Sequence, residues 1–164
     1  MKILVFLHGT SIMHKNAEGH NPEEIAKQVI EGEESVTDYS SYIPVGNAVE
    51  KLKTWETQGA KILYFSSHKK FEDVEQDKAV LKRQGFPKGL VYYRKNDEEY
   101  HTVVERIKPD ILVEDDAKSI GGDMISPTLN PKLGIKIIVV KEFAGIDNLP
   151  DEISVLSKNH SQAT

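Results

Sequence analysis

Residues 111–116 read ILVEDD, an apolar run that continues directly into three consecutive carboxylates. A short apolar run without polar alternation predicts a strand that is buried on both faces of its sheet. In α/β proteins, ligands bind at the edge of the sheet where the parallel strands end. The stretch therefore predicts an α/β fold that presents hard carboxylate oxygens, which suit Mg²⁺, at the carboxyl edge of its sheet.

Four further apolar runs, each rich in Val, Ile, Leu or Tyr, predict four more strands. They comprise residues 3–7, 61–65, 90–93 and 135–140. Helical patterns lie between them at residues 45–58, 71–84 and 97–107. This alternation predicts a Rossmann-like three-layer α/β fold with a five-stranded parallel sheet. We expect residues 1–153 to form this single domain and the polar residues 154–164 to be a frayed tail.

Residues 11–43 interrupt the alternation as a small insert after strand one. A helical pattern occupies residues 22–30, where Asn21 is a favourable N-cap and Pro22 takes the first helical position. Six acidic residues and one lysine fall between Asn21 and Ser40, which disfavours the approach of a polyanionic ligand from that side. The insert is either a flap or cap over the edge of the sheet or a surface excursion without function.

The composition narrows the class of protein. The chain has 164 residues, a formal net charge of -5 and no cysteine. Its acidic balance disfavours a nucleic-acid partner, and the absence of cysteine excludes disulfides, thiolate zinc sites and cysteine nucleophiles. The apolar run that follows Lys2 is too short for a signal peptide or a membrane span. We therefore expect a cytoplasmic protein that binds neither nucleic acid nor membranes.

The order of these segments resembles the haloacid dehalogenase (HAD) superfamily of phosphotransferases over about residues 1–150. The first strand ends in Gly-Thr, as in the D-x-D-G-T motif of that family, and a serine pair ends the second strand. A lysine precedes the helix that leads to the acidic strand, whose carboxylates resemble the magnesium-binding motif. The matching residues are Gly9, Thr10, Ser66, Ser67, Lys95, Glu114, Asp115 and Asp116.

The resemblance implies a phosphate site at the carboxyl edge of the sheet. Hydroxyl groups and an ammonium at this edge can donate hydrogen bonds to phosphoryl oxygens, and the ammonium also neutralises their charge. The candidate phosphate ligands are Thr10, Ser66 and Lys95, with Lys69, Lys70 and Lys108 as alternatives to Lys95.

The first motif departs from the pattern of that family. Its two aspartates, the nucleophile and the general acid/base, align here with Phe6 and His8, and no Asp or Glu occurs before Glu18. A covalent aspartyl-phosphate intermediate is therefore unavailable at this position. The missing aspartate is also a metal ligand in the family, so the resemblance implies a weakened Mg²⁺ site at Asp115 and Asp116.

His8, at the end of the first predicted strand, is a candidate general base or metal ligand. An imidazole at a strand end can act as a general base toward water or bind a softer metal such as Zn²⁺. Asp115 or Asp116 would complete such a site, and His68, which follows the second strand at the same edge, could join it. The alternative is a histidine that makes structural hydrogen bonds alone.

The sequence also resembles a second family over a short stretch but lacks a motif that this family requires. Residues 5–9 read VFLHG, which resembles the His-Gly stretch near the oxyanion hole of α/β-hydrolases. That family also needs a G-x-S-x-G elbow, and the sequence contains none. We therefore do not expect an α/β-hydrolase.

Two functions from different classes remain open. In the first, the chain is a HAD-like protein with a degenerate catalytic motif that binds a small phosphorylated ligand, a metal or a protein partner at the carboxyl edge of the sheet. In the second, it is a metal-dependent, phosphatase-like hydrolase in which His8, Asp115 and Asp116 activate water. Mg²⁺ is the expected cation, with Zn²⁺ as an alternative.

Overall fold

The structure, a computed structural model, describes residues 1–158. Seven strands are present among these residues: Lys2–Phe6 (β1), Ile12–Met13 (β2), Ile43–Pro44 (β3), Lys61–Phe65 (β4), Val91–Tyr92 (β5), Ile111–Asp115 (β6) and Lys136–Val140 (β7). The same residues contain five α-helices: Pro22–Glu31 (α1), Ala48–Thr57 (α2), Phe71–Gln84 (α3), Tyr100–Ile107 (α4) and Ile153–Leu156 (α5).

The main sheet has five parallel strands in the order β5-β4-β1-β6-β7. β1 is central, with β4 on one side and β6 on the other. Because these neighbours run in the same direction, the segments that follow β1, β4 and β6 emerge side by side at one edge. The structure therefore confirms the predicted five-stranded parallel sheet, and this edge brings the candidate residues together.

Helices cover both faces of the sheet. On one face, Ile3 and Val5 of β1 belong to the same core cluster as Trp55 of α2. On the other face, Leu4 of β1 packs in a second cluster with Val104 of α4. All five side chains are 0% exposed, and each buried aliphatic side chain contributes about 1.5–3 kcal/mol. This arrangement is the predicted three-layer fold.

The helices agree with the sequence patterns except at some of their starts. α3 has the predicted bounds, because Gly85 ends it in the left-handed conformation at φ 78°. α4 begins at Tyr100, three residues after the predicted start at residue 97. Asn96 and Asp97 have φ values of 51° and 62°, which lie outside the right-handed helical region. A turn therefore occupies the residues that the helical pattern assigned to the first turn of α4.

The end of the described chain is ordered beyond residue 153. α5 is helical, and its Leu156 is 2% exposed because it packs into the same core cluster as Trp55. The frayed tail that the sequence suggested therefore does not begin at residue 154. Residues 159–164, the rest of that tail, lie outside the described residues.

The insert is a compact unit attached at both ends. β2 and β3 pair in antiparallel fashion at its base. Asn21 and Glu24 form a reciprocal capping box at the start of α1, as the Asn-Pro pattern predicts. Ile25 of α1 packs with Phe143, which follows β7, and this contact holds the insert against the carboxyl edge of the sheet.

The helices are too short to cross a bilayer. Within residues 1–158 no helix is both long and apolar enough to span a membrane. The 14 residues of α3, which include many charges, extend about 21 Å at 1.5 Å per residue. A bilayer core is about 30 Å thick.

Candidate functional site

A cavity of about 190 Å³ lies at the carboxyl edge of the sheet, beside the ends of β1 and β6. The insert forms one wall, and the segments after β6 and β7 form the other. The insert contributes Ile12, Met13, His14, Val29, Val36 and Tyr42. The opposite wall contributes Ser119, Ile120, Asp123, Ile125, Glu142 and Phe143. The floor contains residues from the ends of the strands, including Phe6, His8, Ser67, Glu114 and Asp115.

The charged groups of this lining are acidic. Four carboxylates contribute to it, and no lysine or arginine is among the lining residues of the part of the chain that the structure describes. Carboxylates in a partly desolvated cavity repel anions and attract cations. The cavity is therefore suited to a cation or an uncharged molecule rather than to a bare phosphate.

Three carboxylates gather on one side of this edge. Asp115, Asp116 and Glu142 each offer an oxygen, and these oxygens lie within 4.8 Å of one another. Asp115 ends β6, Asp116 follows it, and Glu142 lies two residues beyond the end of β7. The main-chain amide of Glu142 donates to Oδ1 of Asp116 over 3.1 Å, which joins the two segments. Such a group can hold a divalent cation with water completing the coordination.

Hydrogen bonds from neighbouring groups orient these carboxylates. Thr10 Oγ1 donates to Asp115 Oδ2 over 2.7 Å, and the amide of Ala117 donates to Oδ1 over 2.8 Å. The amide and hydroxyl of Ser119 donate to the two oxygens of Glu142 over 2.8 and 2.6 Å. A carboxylate retains free lone pairs after accepting one bond at each oxygen, so both side chains can still bind a metal.

Asp115 is held in an environment that disfavours its charge. It is 8% exposed, and burial together with the nearby carboxylates of Glu142 and Asp116 raises its pKa from 3.8 to about 6. The hydrogen bonds from Thr10 and Ala117 act in the opposite direction but do not cancel the rise. A bound cation would remove this penalty, because it favours the ionised form.

Gly9 allows the loop after β1 to approach the carboxylates. It has φ 85°, and a Cβ atom at this position would lie 3.0 Å from Cγ of Glu142 and 3.1 Å from Oδ2 of Asp115. A side chain would therefore crowd the group and strain the backbone. The close packing against Glu142 and Asp115 therefore explains why a glycine precedes Thr10 in this chain.

Glu114 has a different role from its two acidic neighbours. It lies inside β6, is 3% exposed, and accepts hydrogen bonds from the amides of Ile125 and Ser126 over 2.9 Å each. These amides begin the short 3-10 helix of residues 126–128, so Glu114 caps that helical turn. One of the three consecutive carboxylates is therefore structural.

An aromatic cluster surrounds Phe6, which the resemblance to the HAD superfamily aligns with a nucleophilic aspartate. The ring of Phe6 stacks on Phe65 with centroids 4.9 Å apart and an angle of 11° between the planes. Tyr100 meets the same ring edge-on at 5.7 Å. Phe6 is 9% exposed, so its ring serves the core and one wall of the cavity.

His8 lies in a second group of polar residues, with Asp77 of α3 at its centre. Its Nε2 lies 2.9 Å from Asp77 Oδ1, and its Nδ1 lies 2.8 Å from Ser67 Oγ. Asp77 Oδ2 accepts from Ser66 Oγ over 2.5 Å and lies 3.1 Å from His68 Nδ1. Burial acts to raise the pKa of Asp77, but the hydrogen bonds from both histidines and Ser66 hold it well below its usual range.

The structure brings His8 and His68 together, but the carboxylate between them is Asp77. Their ligand atoms lie within 4.8 Å of one another, whereas Asp115 and Asp116 belong to the other group. The expected site of His8 with Asp115 or Asp116 is therefore not the arrangement observed. Both ring nitrogens of His8 already have a hydrogen-bond partner.

The predicted phosphate ligands are placed differently from one another. The hydroxyls of Thr10 and Ser66 are buried and directed to Asp115 and Asp77. Lys95 is exposed, with its ammonium 5.2 Å from the ring centroid of Tyr93, and is not among the lining residues. The roles of these residues in phosphate binding stay predictions.

The three alternative lysines are also outside the cavity lining. Lys69 and Lys70 are exposed between β4 and α3. Lys108 is the left-handed cap of α4 and precedes β6, which places it at the opposite, amino edge of the sheet.

Two residues of these groups, Asp77 and Glu142, are not among the predicted site residues, although the sequence contains a signal for each. Asp77 shares the buried stripe of α3 with Val74 and Leu81, at helical spacing, although the surrounding charges conceal it. Glu142 follows β7 at the same edge as the other carboxylates. The rule that ligands gather after parallel strands applies to it as well as to Asp115.

Solved structures with a similar fold include chains of an RNA repair complex and a phosphatase. A chain in the structure of the Pnkp1/Rnl/Hen1 RNA repair complex has a TM-score of 0.56 and 14% identity, and the match covers 86% of this chain and 42% of that chain. A chain in a second structure of the Pnkp1/Rnl/Hen1 complex has a TM-score of 0.54 and 14% identity, and the match covers 86% of this chain and 46% of that chain. This chain therefore spans less than half the length of those two.

A phosphatase structure is also similar. The class C acid phosphatase from Bacillus anthracis with tungstate bound has a TM-score of 0.52 and 16% identity, and the match covers 88% of this chain and 68% of that chain. No family model matches the sequence, and no curated protein does. At these identities the likeness shows the fold, which is HAD-like, and leaves the activity to be argued from the site.

Proposed function

We propose that this HAD-like protein binds a divalent cation, with Mg²⁺ preferred, through Asp115, Asp116 and Glu142. The cation in turn holds the phosphate of a small phosphorylated ligand, and no aspartyl-phosphate forms. The observation that carries the proposal is the convergence of three carboxylate oxygens within 4.8 Å at the carboxyl edge of the sheet. Oxygen ligands of this kind are those that Mg²⁺ and Mn²⁺ take in proteins.

The electrostatics of the group favour a cation. Burial raises the pKa of Asp115 to about 6, and repulsion from the neighbouring carboxylates of Glu142 and Asp116 adds to the rise. A divalent cation would convert the repulsion into attraction. The donors from Thr10, Ala117 and Ser119 fix the carboxylates in place, which lowers the cost of ordering them on binding.

The phosphate is assigned to the cation because the cavity offers no other positive charge. Lysine and arginine are absent from the lining formed by residues 1–158. A cation shared between carboxylates and phosphate is a common way for a protein to hold an anion at an acidic site. The tungstate in the class C acid phosphatase, a tetrahedral oxyanion like phosphate, supports this ligand class by analogy of fold.

The proposal excludes one reaction. Phe6 stands where the family has its nucleophile, and its ring is stacked between other aromatic rings. A phenyl ring cannot attack phosphorus or bind a cation through oxygen. We therefore expect no aspartyl-phosphate turnover of small phosphate esters with Mg²⁺ or Mn²⁺.

Isothermal titration calorimetry tests the cation site. Mg²⁺ and Mn²⁺ are titrated into the wild type, Asp116→Asn and Asp123→Asn. Asp123 is a matched control, because it lines the same cavity but is not a member of the group of three. We expect Asp116→Asn to weaken binding at least ~10-fold, or about 1.4 kcal/mol, and Asp123→Asn to have a smaller effect.

A second titration tests the ligand class. Inorganic phosphate is added with Mg²⁺ and again with EDTA, and binding is expected only with the cation. Equal cation affinities for the two variants, or no cation binding by the wild type, would contradict the cation site. Phosphate binding that survives EDTA would contradict the assignment of the phosphate to the cation.

A further inference from the structure

The group around Asp77 is separate from the proposed cation site and contacts a hydroxyl in the same cavity. Asp77 is 0% exposed and accepts from Ser66 Oγ, with one histidine nitrogen at each of its oxygens. The third residue of the chain of contacts is Ser67, whose Oγ lies 2.8 Å from His8 Nδ1. Both His8 and Ser67 line the cavity, whereas Asp77 lies behind them.

The partners of His8 determine which of its nitrogens carries the proton. An ionised carboxylate can only accept hydrogen bonds, so the nitrogen that faces Asp77, Nε2, must be the donor. In the neutral imidazole Nδ1 is then the acceptor. Its partner, Ser67 Oγ, consequently donates its proton to His8. This is the tautomer that a general base beside a hydroxyl requires.

We propose that Ser67 is a nucleophile, that His8 is its general base, and that Asp77 is the positioning residue of the pair. The three form an Asp-His-Ser arrangement with contacts of 2.9 and 2.8 Å, within the range for such a triad. A triad is recognised by geometry and roles rather than by sequence position. The absence of a G-x-S-x-G elbow therefore does not count against it.

The reaction is hydrolysis of an ester. Ser67 Oγ attacks the carbonyl carbon while its proton passes to His8 Nδ1, and the tetrahedral intermediate collapses with release of the alcohol, which takes that proton. Water then attacks the acyl-serine while one of its protons passes to His8 Nδ1. The second tetrahedral intermediate collapses, Ser67 Oγ takes that proton from His8, and the carboxylic acid leaves. Asp77 keeps its hydrogen bond to Nε2 throughout and stabilises the imidazolium that forms in each step.

Arg94 holds the main chain of Ser67 from outside the cavity lining. Its Nη2 donates to the carbonyl oxygen of Ser67 over 3.2 Å, and its guanidinium carbon lies 3.7 Å from the ring centroid of Tyr100, which lines the cavity. Its Nε is buried and has no hydrogen-bond partner among the described residues. The hydrogen bond from Nη2 fixes the main chain at Ser67 and so helps to hold its hydroxyl beside His8.

The lining of the cavity indicates an uncharged substrate. Apolar side chains of the insert, such as Met13, Val29 and Val36, line the cavity, and the charged lining residues are acidic in the part of the chain described. Anionic esters would be repelled in the absence of a cation. The volume of about 190 Å³ restricts the acyl and alcohol groups to small ones.

Active-site labelling tests the nucleophile in the full chain. The protein is incubated in EDTA with a fluorophosphonate probe, and the modified residue is identified by tandem mass spectrometry. In parallel, hydrolysis of p-nitrophenyl acetate is followed. We expect one adduct on Ser67, and loss of both adduct and hydrolysis in Ser67→Ala. Ser126→Ala is the matched control, because Ser126 is a serine near the same edge that is not among the lining residues.

Two further variants test the partners of Ser67. His8→Gln should lower the labelling rate on the order of 100-fold or more. Asp77→Asn should lower kcat for p-nitrophenyl acetate while KM stays unchanged, because Asp77 lies outside the cavity lining. Circular dichroism spectra of each variant identify any loss of fold, and Asp77→Glu, which keeps a carboxylate, should recover part of kcat.

The same experiments can contradict the assignment of Ser67 as a nucleophile. No adduct on Ser67 in the folded wild type, or equal labelling in Ser67→Ala, overturns the proposal. Hydrolysis that requires added Zn²⁺ and is lost in EDTA, without a Ser67 adduct, would overturn it in favour of a metal held by His8, His68 and Asp77. Because the labelling is done in EDTA, failure of the cation site would leave the expected Ser67 adduct unchanged.

Discussion

Thr10 Oγ1 donates a 2.7 Å hydrogen bond to Oδ2 of Asp115, which joins the loop after β1 to the end of β6. Thr10 is 0% exposed, so this bond is shielded from water. It is one of two hydrogen bonds that act to lower the pKa of Asp115 against the effect of burial. The bond therefore links the position of the loop to the charge of the carboxylate at the candidate cation site.

Thr10→Val should destabilise the protein and weaken cation binding. Valine keeps the branched shape but removes the donor, which leaves a buried carboxylate oxygen without its partner. The expected loss in the free energy of unfolding is about 1–3 kcal/mol. Urea denaturation measures it, and calorimetry with Mg²⁺ measures the change in affinity. Thr102→Val, at an exposed position of α4, is the control and should have little effect on either quantity.

The stability of the cation-free protein should depend on pH through Asp115. A carboxyl whose pKa is raised on folding binds its proton more tightly in the folded state. Its contribution to stability is therefore greatest below pH 3.8 and falls as the pH rises through about 6. Asp115→Asn removes this dependence. The difference in the free energy of unfolding between the variant and the wild type should therefore move in favour of the variant by about 2 kcal/mol as the pH rises from about 4 to about 7.

Urea denaturation in EDTA at several pH values measures this difference. Asp123→Asn, which removes a charge from the same cavity, shows how much of the gain comes from net charge alone. A difference between wild type and Asp115→Asn that is constant with pH would show that Asp115 does not titrate in this range.

Asp77→Asn should cost more stability than any exposed substitution on α3. The pKa of Asp77 is held below its usual range, so its ionised form stabilises the fold above the ordinary value of 3.8, and this contribution is lost as the pH falls below it. An amide cannot accept from His8, His68 and Ser66 together, and we expect a loss of about 3–5 kcal/mol at pH 7. Glu75→Gln, exposed on the same helix, is the control. A loss no larger than that of the control would contradict the network.

The layers of the fold can be predicted from the pattern of apolar residues along the sequence. The elements whose bounds differ from the prediction do so for local reasons. Apolar runs without alternation predicted the parallel sheet, because strands covered on both faces need no polar face. The predicted start of α4 is too early, because the left-handed conformations of Asn96 and Asp97 do not change the spacing of the apolar residues. The edge of the sheet could likewise be predicted from the residues that follow each strand.

The contacts at that edge could not be predicted, because they depend on rotamers and on distant segments. Glu114 and Asp115 are adjacent, yet one caps a turn and the other joins the group of carboxylates. The sequence predicts a phosphate contact for Ser66 but does not indicate the hydrogen bond from its hydroxyl to Asp77, which lies 11 positions along the chain. Sequence patterns identify which residues reach the edge but not which of them meet.

Phe6→Asp tests whether the missing nucleophile is the sole obstacle to phosphatase chemistry. The ring of Phe6 packs 4.9 Å from Phe65 and 5.7 Å from Tyr100, and it is 9% exposed. Replacing it with a carboxylate removes this packing at a cost of about 3–5 kcal/mol and adds a charge to an acidic cavity.

We therefore expect Phe6→Asp to be strongly destabilised and to hydrolyse no p-nitrophenyl phosphate with Mg²⁺. Phe6→Leu, which keeps an apolar side chain, is the control and should lose less stability. Thermal unfolding and a phosphatase assay of the folded fraction measure both effects. Phosphatase activity in Phe6→Asp would show that the remaining residues are already arranged for phosphoryl transfer. Phe6 would then be the one residue that prevents phosphoryl transfer in an otherwise competent site.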